Sequence, residues 1–255
     1  MSVRRLPVAV LCALLLTASI PPAAMAQDDP TPVVYATYFR CEPGMSARAG
    51  EIISDSWSPI PQSRVDSGAL TAWGSLSHHT GGEWDRVTYY VANDRAQLMA
   101  TLDEMTAEWA GSGSDDIAEF MEACDEHEDY MWNWVAGSDP VTEVAQDRSN
   151  AGLSTYWVCD EGRGALIDLL AEEVFAPAWN AQVEAGLINS WSWFAHFLGG
   201  EYRRLLVADG VDHNAVLTAR DNVIEWVGEN ASGLAGEFSR VCNGHTDYLW
   251  SIEGS

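Results

Sequence analysis

The sequence predicts an α+β protein built from two consecutive β-α-β-β-α-β units. Three observations carry this. Residues 37–137 align on residues 155–255 at a constant offset of 118 without a gap, and 24 of the 101 pairs are identical. Each copy alternates stretches rich in Val, Tyr, Thr and Trp with stretches of helical period, in the same order. The landmarks also recur: His78-x-x-Gly81-Gly82-Glu83-x-x-Arg86 matches His196-x-x-Gly199-Gly200-Glu201-x-x-Arg204, and Cys124-x-x-His127-x-Asp129-Tyr130-x-Trp132 matches Cys242-x-x-His245-x-Asp247-Tyr248-x-Trp250.

Each element follows from local chemistry. Residues 33–41 are β-branched and aromatic, which favours a strand, and Gly44 ends it. Residues 45–58 and 162–176 carry a helical apolar pattern that Pro59 and Pro177 interrupt or end. Gly68 and Gly186 punctuate before strands over 69–79 and 187–197. Gly81-Gly82 and Gly199-Gly200 supply tight turns into strands over 83–91 and 201–208. Asp94 and Asp212 sit where N-caps belong and open helices over 95–110 and 213–228. A Gly/Ser stretch and a cysteine precede the last strands, 127–135 and 245–252. This order is the ferredoxin-like unit, whose first and last strands lie antiparallel and adjacent.

Domain boundaries follow. Residues 1–26 read as a secretory signal: Arg4 and Arg5, an apolar run from Val8 to Ile20, and an Ala24-Met25-Ala26 cleavage site. A short flexible N-terminus covers 27–32, the first repeat 33–137, a linker 138–153 and the second repeat 154–255. The expected location is periplasmic or secreted, with no membrane attachment after cleavage. The chain holds 13 basic and 38 acidic residues, and every basic one is Arg, for a net charge of −25. Losing Arg4 and Arg5 would take it to −27. Such a surface repels nucleic acid and anionic membranes, which leaves a small-molecule ligand as the expected partner of a monomer or weak dimer. Cation binding stays open, but no acidic run has a Ca²⁺-loop spacing.

Cys12 leaves with the signal, and four cysteines in an exported chain imply two disulfides. Three pairings are formal options. If both copies fold alike, the bridges are Cys41–Cys124 and Cys159–Cys242, with a separation of 83 in each. A metal site is the rival, but the chain has no C-x-x-C, so no metal is expected.

The element order, the duplication and the Gly-Gly hairpin resemble the dimeric α/β-barrel superfamily, which includes antibiotic-biosynthesis-monooxygenase-like and stress-responsive A/B-barrel proteins. The resemblance spans about residues 33–255 and implies one barrel with both halves on a single chain. It implies a cofactor-independent, monooxygenase-like enzyme acting on an aromatic or planar substrate as the first functional expectation. No axial haem ligand is picked out, so no cofactor is expected. A non-catalytic ligand-binding or stress-related module and a purely structural barrel are the alternatives.

Candidate site residues come from the hairpin. If Gly81-Gly82 is the loop, residues whose numbers sum to 163 face each other. Trp73, Ser75, Arg86, Thr88 and Tyr90 then share one face with Trp84, and Leu76, His78, Val87, Tyr89 and Val91 the other. The first face, with Trp191 and Arg204 in the second copy, is expected to line the barrel, and the aliphatic face to pack under helices. On that reading Arg86, Arg204, Trp73 and Trp191 bind ligand, the arginines clamping an anion or pairing with acidic neighbours. His78 and His196 are candidate general bases or structural histidines. Tyr38 and Tyr156 are candidate hydroxyl donors or core residues. His127-x-Asp129 and His245-x-Asp247 form either catalytic pairs or caps beside the disulfides. No nucleophile elbow accompanies them. Asymmetric positions, such as His79 against Phe197 and Ser75 against Trp193, are where one copy would carry chemistry the other lacks.

Overall fold

The computed structural model describes residues 31–138 and 149–253. The signal segment 1–26, most of 27–32 and much of the 138–153 linker lie outside the described residues. The first repeat runs β1 (Val33–Arg40), α1 (Ser46–Ile52), a π-helical turn (Ile53–Trp57), α2 (Pro59–Asp66), β2 (Ala72–Gly81), β3 (Arg86–Ala92), α3 (Arg95–Ser112), α4 (Asp115–Ala123) and β4 (Glu126–Gly137). The second runs β5 (Ala151–Cys159), α5 (Gly164–Val174), α6 (Ala176–Glu184), β6 (Ser190–Leu198), β7 (Arg204–Gly210), α7 (His213–Asn230), α8 (Ser232–Val241) and β8 (Cys242–Glu253).

Local signals behave as their chemistry dictates, with two differences. Pro59 and Pro177 stand in the first turns of α2 and α6, where a missing N–H costs nothing, so they open helices as well as interrupting the preceding ones. The stretches expected to be Gly/Ser loops contain α4 and α8, which dock through Phe120 with Ala123 and through Phe238 with Val241. Asp94 and Asp212 cap as expected, each accepting a backbone N–H at 2.8 Å, from Gln97 and Ala215. Strand β5 begins three residues before the expected repeat boundary at 154.

The eight strands form one closed antiparallel barrel in the order β1-β3-β2-β8-β5-β7-β6-β4. Each repeat contributes the ferredoxin-like order, with β1 between β3 and β4 and with β5 between β7 and β8. Two seams join the repeats: β2 pairs with β8 and β4 pairs with β6. Both disulfides close within repeats, Cys41–Cys124 and Cys159–Cys242. Each ties the end of a first strand to the start of a last one, worth about 2–4 kcal/mol in the loop-entropy account.

The seams explain the recurring motifs. Gly81 lies opposite Tyr248, and His78 opposite Trp250. Trp132 lies opposite His196 in the other seam. The ring of Tyr248 occupies the space a side chain at Gly82 would need, and Tyr130 does the same at Gly200. The Tyr248 hydroxyl accepts the N–H groups of Glu83 at 2.8 Å and Trp84 at 3.3 Å. The Gly-Gly-Glu hairpin of each repeat therefore wraps the Asp-Tyr-x-Trp tyrosine of the other. The two motifs are the two halves of one contact, made twice.

The hairpin register is the expected one, with Trp73 opposite Tyr90, Ser77 opposite Arg86 and Trp191 opposite Ala208. The faces are reversed. Leu76, Val87, Tyr89, Val91, Phe194, Leu205 and Val207 point into the barrel, where they meet Tyr38, Tyr130, Trp132, Tyr156, Tyr248 and Trp250. Trp73 and Tyr90 pack under the helices with Leu98 and Met105, and Trp191 packs with Ile167 and Val216. Strands β1, β4, β5 and β8 already fill the barrel with large rings, so the hairpins supply smaller side chains. The indole N–H groups go where helices offer acceptors: Trp73 donates to Gln62 at 3.0 Å and Trp191 to Asn180 at 2.8 Å. Trp84, off the ladder before β3, is the exception and turns inward, 4.3 Å from Tyr38 between ring centroids.

The two seam tyrosines differ in one respect that thermal unfolding would read. The Tyr130 hydroxyl is buried with one weak backbone contact, the Tyr202 N–H, which falls short of good hydrogen-bond geometry. Tyr248→Phe strands two backbone N–H groups and should cost about 1–3 kcal/mol, whereas Tyr130→Phe should be neutral or slightly stabilising. Equal losses in both variants would contradict this account of the seams.

Candidate functional site

The described residues place the expected site residues in three different surroundings. Tyr38 and Tyr156 meet edge to face at the centre of the barrel, with ring centroids 5.5 Å apart. They are 1% and 2% exposed. Burial pushes both phenols well above their ordinary range, and each hydroxyl is engaged with the other. They fill the core and stay protonated.

Arg86 and Arg204 do not line the barrel, which corrects the expectation for them and for Trp73 and Trp191. Arg86 lies on the helix side, donating to the Ser46 carbonyl at 2.6 Å and pairing with Glu253 at 2.6 Å. Arg204 pairs with Asp168 of α5 through two bonds, at 2.6 and 2.9 Å. Both guanidinium groups are buried, and a buried charge needs such partners. An anion clamp between them is not formed.

His78 and His196 sit at the hairpin tips beside the seams. The His78 Nε2 is 2.6 Å from the Gly81 carbonyl of its own turn. His196 stands with its ring centroid 5.9 Å from Trp132. Burial, then the Arg203 charge, hold His196 below the ordinary imidazole value, partly offset by the Gly199 backbone. The two histidines lie in separate seams.

Open space lies at one mouth of the barrel. A cleft of about 400 Å³ is lined by Tyr38, Arg40, Trp84, Asp125, Glu126, His127 and Glu128. The β1–β4 ladder builds it, with Arg40 opposite Glu126 and Tyr38 opposite Glu128. Period two turns Tyr38, Arg40, Glu126 and Glu128 toward the barrel axis and sends His127 and Asp129 to the other face. Arg40 is held by Glu83 and, at 3.1 Å, by Glu126. Burial, followed by the Glu83 charge, raises the Glu128 carboxyl above its usual value; Arg40 opposes this and Glu201 adds to it. His127 sits on the wall with its Nε2 3.6 Å from Asp129. In the second repeat the matching Asp247 is committed to Arg220 at 2.9 Å and Thr155 at 2.7 Å.

The cleft belongs to one repeat. At the positions of Arg40, Asp125, Glu126 and Glu128 the second repeat has Val158, Asn243, Gly244 and Thr246. There the Tyr202 hydroxyl donates to Thr246 at 3.0 Å. Arg40, Asp125, Glu126 and Glu128 were missed by sequence reasoning. Their signal was present as charge carried by one copy alone. Among the described residues no group of three His, Cys, Asp or Glu is arranged to hold a metal, and no helix is long and apolar enough to cross a membrane.

The raised Glu128 carboxyl has a consequence for stability. Its ionisation costs more folded than unfolded, so its contribution falls as pH rises from the unfolded value of about 4.3 through the higher folded one. Glu128→Gln should therefore melt higher than the parent at pH 7, with the difference vanishing below about pH 4. An equal or lower melting temperature at pH 7 would contradict the electrostatic reading of the cleft.

No protein-family model matches the chain, and no curated protein is similar to it. Solved structures share its fold at low identity. They include an anthrone oxidase-like protein, 13% identical over 89% of this chain and 92% of that one, with a TM-score of 0.54. A candidate monooxygenase from Lactobacillus acidophilus NCFM is 10% identical over 87% and 94%, with a TM-score of 0.56. A mutant chlorite dismutase from Candidatus Nitrospira defluvii in complex with cyanide is 9% identical over 89% and 92%, with a TM-score of 0.51. The chain has the dimeric α/β-barrel fold, with both halves of the barrel on one polypeptide.

Proposed function

We propose that this is an exported small-molecule-binding barrel whose ligand sits at the open mouth of the first repeat. The observation that carries the reading is the contrast between a filled interior and an open mouth. Six large rings, those of Tyr38, Tyr130, Trp132, Tyr156, Tyr248 and Trp250, are fully buried inside the barrel. The cleft beside them, of about 400 Å³, falls in the size range of small-ligand sites. Three of the groups that acid–base chemistry in the barrel would use are committed elsewhere: Arg86 and Arg204 to carboxylates, His78 to its own turn. Export is supported by the signal-like start and by the two disulfides, which suit an oxidising compartment.

A monooxygenase-like enzyme acting at the same mouth is the second reading. The observation favouring it is His127, which lines the cleft with Asp129 beside it, on a fold shared with an anthrone oxidase-like protein. The imidazole, turned to the outer face of the wall beside Phe39, would have to swing toward the mouth to take a proton from an electron-rich planar substrate before its reaction with dioxygen.

Two measurements test these readings. In native mass spectrometry and a thermal-shift screen of a small-metabolite library, the parent should retain or be stabilised by a ligand. Glu128→Trp, which fills the cleft, should lose that response while keeping its fold. A ligand response unchanged by Glu128→Trp would overturn the mouth site. Oxygen uptake with an anthrone-type substrate that falls at least about a hundredfold in His127→Ala would favour the enzyme; absence of uptake in the parent would remove it.

A further inference from the structure

We propose that His79 and His213 form an acid-released latch that holds the hairpin tip of the first repeat against the second repeat. The geometry that carries this is made twice and filled differently. In the β2–β8 seam His78 lies opposite Trp250 and Thr80 opposite Leu249, which leaves His79 out of the ladder. In the β4–β6 seam His196 lies opposite Trp132 and Leu198 opposite Met131, which leaves Phe197 out in the same way. A bulge re-aims its extra side chain, and here each one meets the first residue of the other repeat's long helix. Arg95, opening α3, stands with its Cζ 3.5 Å over the Phe197 ring. His213, opening α7, stacks on His79 with ring centroids 3.9 Å apart and planes 18° from parallel. The positions correspond at the repeat offset of 118, 79 with 197 and 95 with 213. One corner is thus closed by a permanent cation on an apolar ring, the other by two groups that each gain a charge in acid.

Neutral imidazoles stack without penalty, and one proton turns the stack into a cation on a ring. A second proton puts like charges on rings 3.9 Å apart, and their repulsion opposes the stack. His213 also stands in the first turn of α7, at the positive end of the helix, which opposes its charge further. The acids around the corner are engaged elsewhere. At the start of α7 the Asp212 carboxylate caps Ala215, and the next acid on that helix is Asp221, more than two turns on. On β8 the His213 Nε2 faces the Trp250 carbonyl at 3.1 Å and the Ser251 hydroxyl at 3.4 Å, while Asp247 pairs with Arg220 and Glu253 with Arg86. On β7 Asp209 accepts from Ser149 and Ser190. On the hairpin His78 turns to the Gly81 carbonyl, Glu83 to Arg40 and Asp85 to the Cys41 N–H. Among the described residues the imidazoles that reach a carboxylate are those of His127 and His245. The closed corner therefore binds fewer protons than the open one, and its stabilisation falls as pH drops. The tip that it holds carries Trp84, which lines the mouth cleft, and Glu83, which pairs with Arg40 on the cleft wall. Acid thus loosens one wall of the mouth, whether or not the cleft takes a ligand.

Histidine-resolved NMR titration of the intact, oxidised protein from about pH 8 to about pH 5 tests the pair. His79 and His213 should take up protons in two linked steps, the second at least about tenfold weaker than the first. Hydrogen exchange at the Glu83 and Trp84 amides, which the Tyr248 hydroxyl accepts, reads the tip. Their protection should fall at least about tenfold over the same range, beyond the change in intrinsic exchange rate. His79→Phe/His213→Arg, which copies the other corner, should abolish that fall. His79 is exposed, so His79→Phe alone keeps the fold, and it should abolish the fall too and leave His213 titrating in one step. Independent single-step titrations in the parent, tip protection that does not fall in acid, or a fall that persists in either variant overturns the latch.

Discussion

The rest of the structure depends on two inter-repeat edge pairings. A four-stranded ferredoxin-like sheet has two open edges, each a row of unpaired N–H and C=O groups. Here β2 meets β8 and β4 meets β6, so each repeat's edges satisfy the other's and the barrel has no free edge. The hairpin glycines matter at this point because each must admit the partner's tyrosine ring, Tyr248 at Gly82 and Tyr130 at Gly200. A covalent link between the repeats makes the pairing intramolecular, which removes its dependence on concentration.

Closing the barrel this way decides where chemistry can occur. The inner rings of Tyr130, Trp132, Tyr248 and Trp250 lie on the strands that form the seams, so the same residues that close the barrel fill it. Arg204 and the indoles of Trp73 and Trp191 face outward, to helices that offer acceptors. Among the described residues an open cleft lies at the mouth, where strands β1 and β4 run past the filled core toward the Cys41–Cys124 bridge. The duplicated frame is under the same packing demands in both copies, and the copies diverge in charge where those demands end.

Much of the fold was legible in the sequence, because duplication turns one reading into two concordant ones. The hairpin register, the aspartate caps and the disulfide pairing all follow from local spacing plus the repeat. The direction each face points was not legible. It depends on a competition between elements far apart in sequence: whether rings from β1 and β4 or from β2 and β3 occupy the centre, and which helix offers Trp73 and Arg86 a partner. The helices α4 and α8 were hidden because they are short and bury only two residues each, Phe120 with Ala123 and Phe238 with Val241. The candidate site was half legible. Tyr38 was singled out for its position on the first strand and does line the cleft. Arg40, Glu126 and Glu128 read as ordinary surface charge until the second copy is set beside them, where Val158, Gly244 and Thr246 show that the charge is not demanded by the fold.

The central claim is that the two repeats are one cooperative unit held by the seams. Native-state hydrogen exchange on the intact, oxidised protein tests it most directly. The amides of β2 and β8, and of β4 and β6, should exchange only through the same global opening as those of the intra-repeat ladders β1–β3 and β5–β7. Seam amides that exchange at lower free energy while one repeat's internal ladder stays protected would show two domains merely in contact, and would contradict the account.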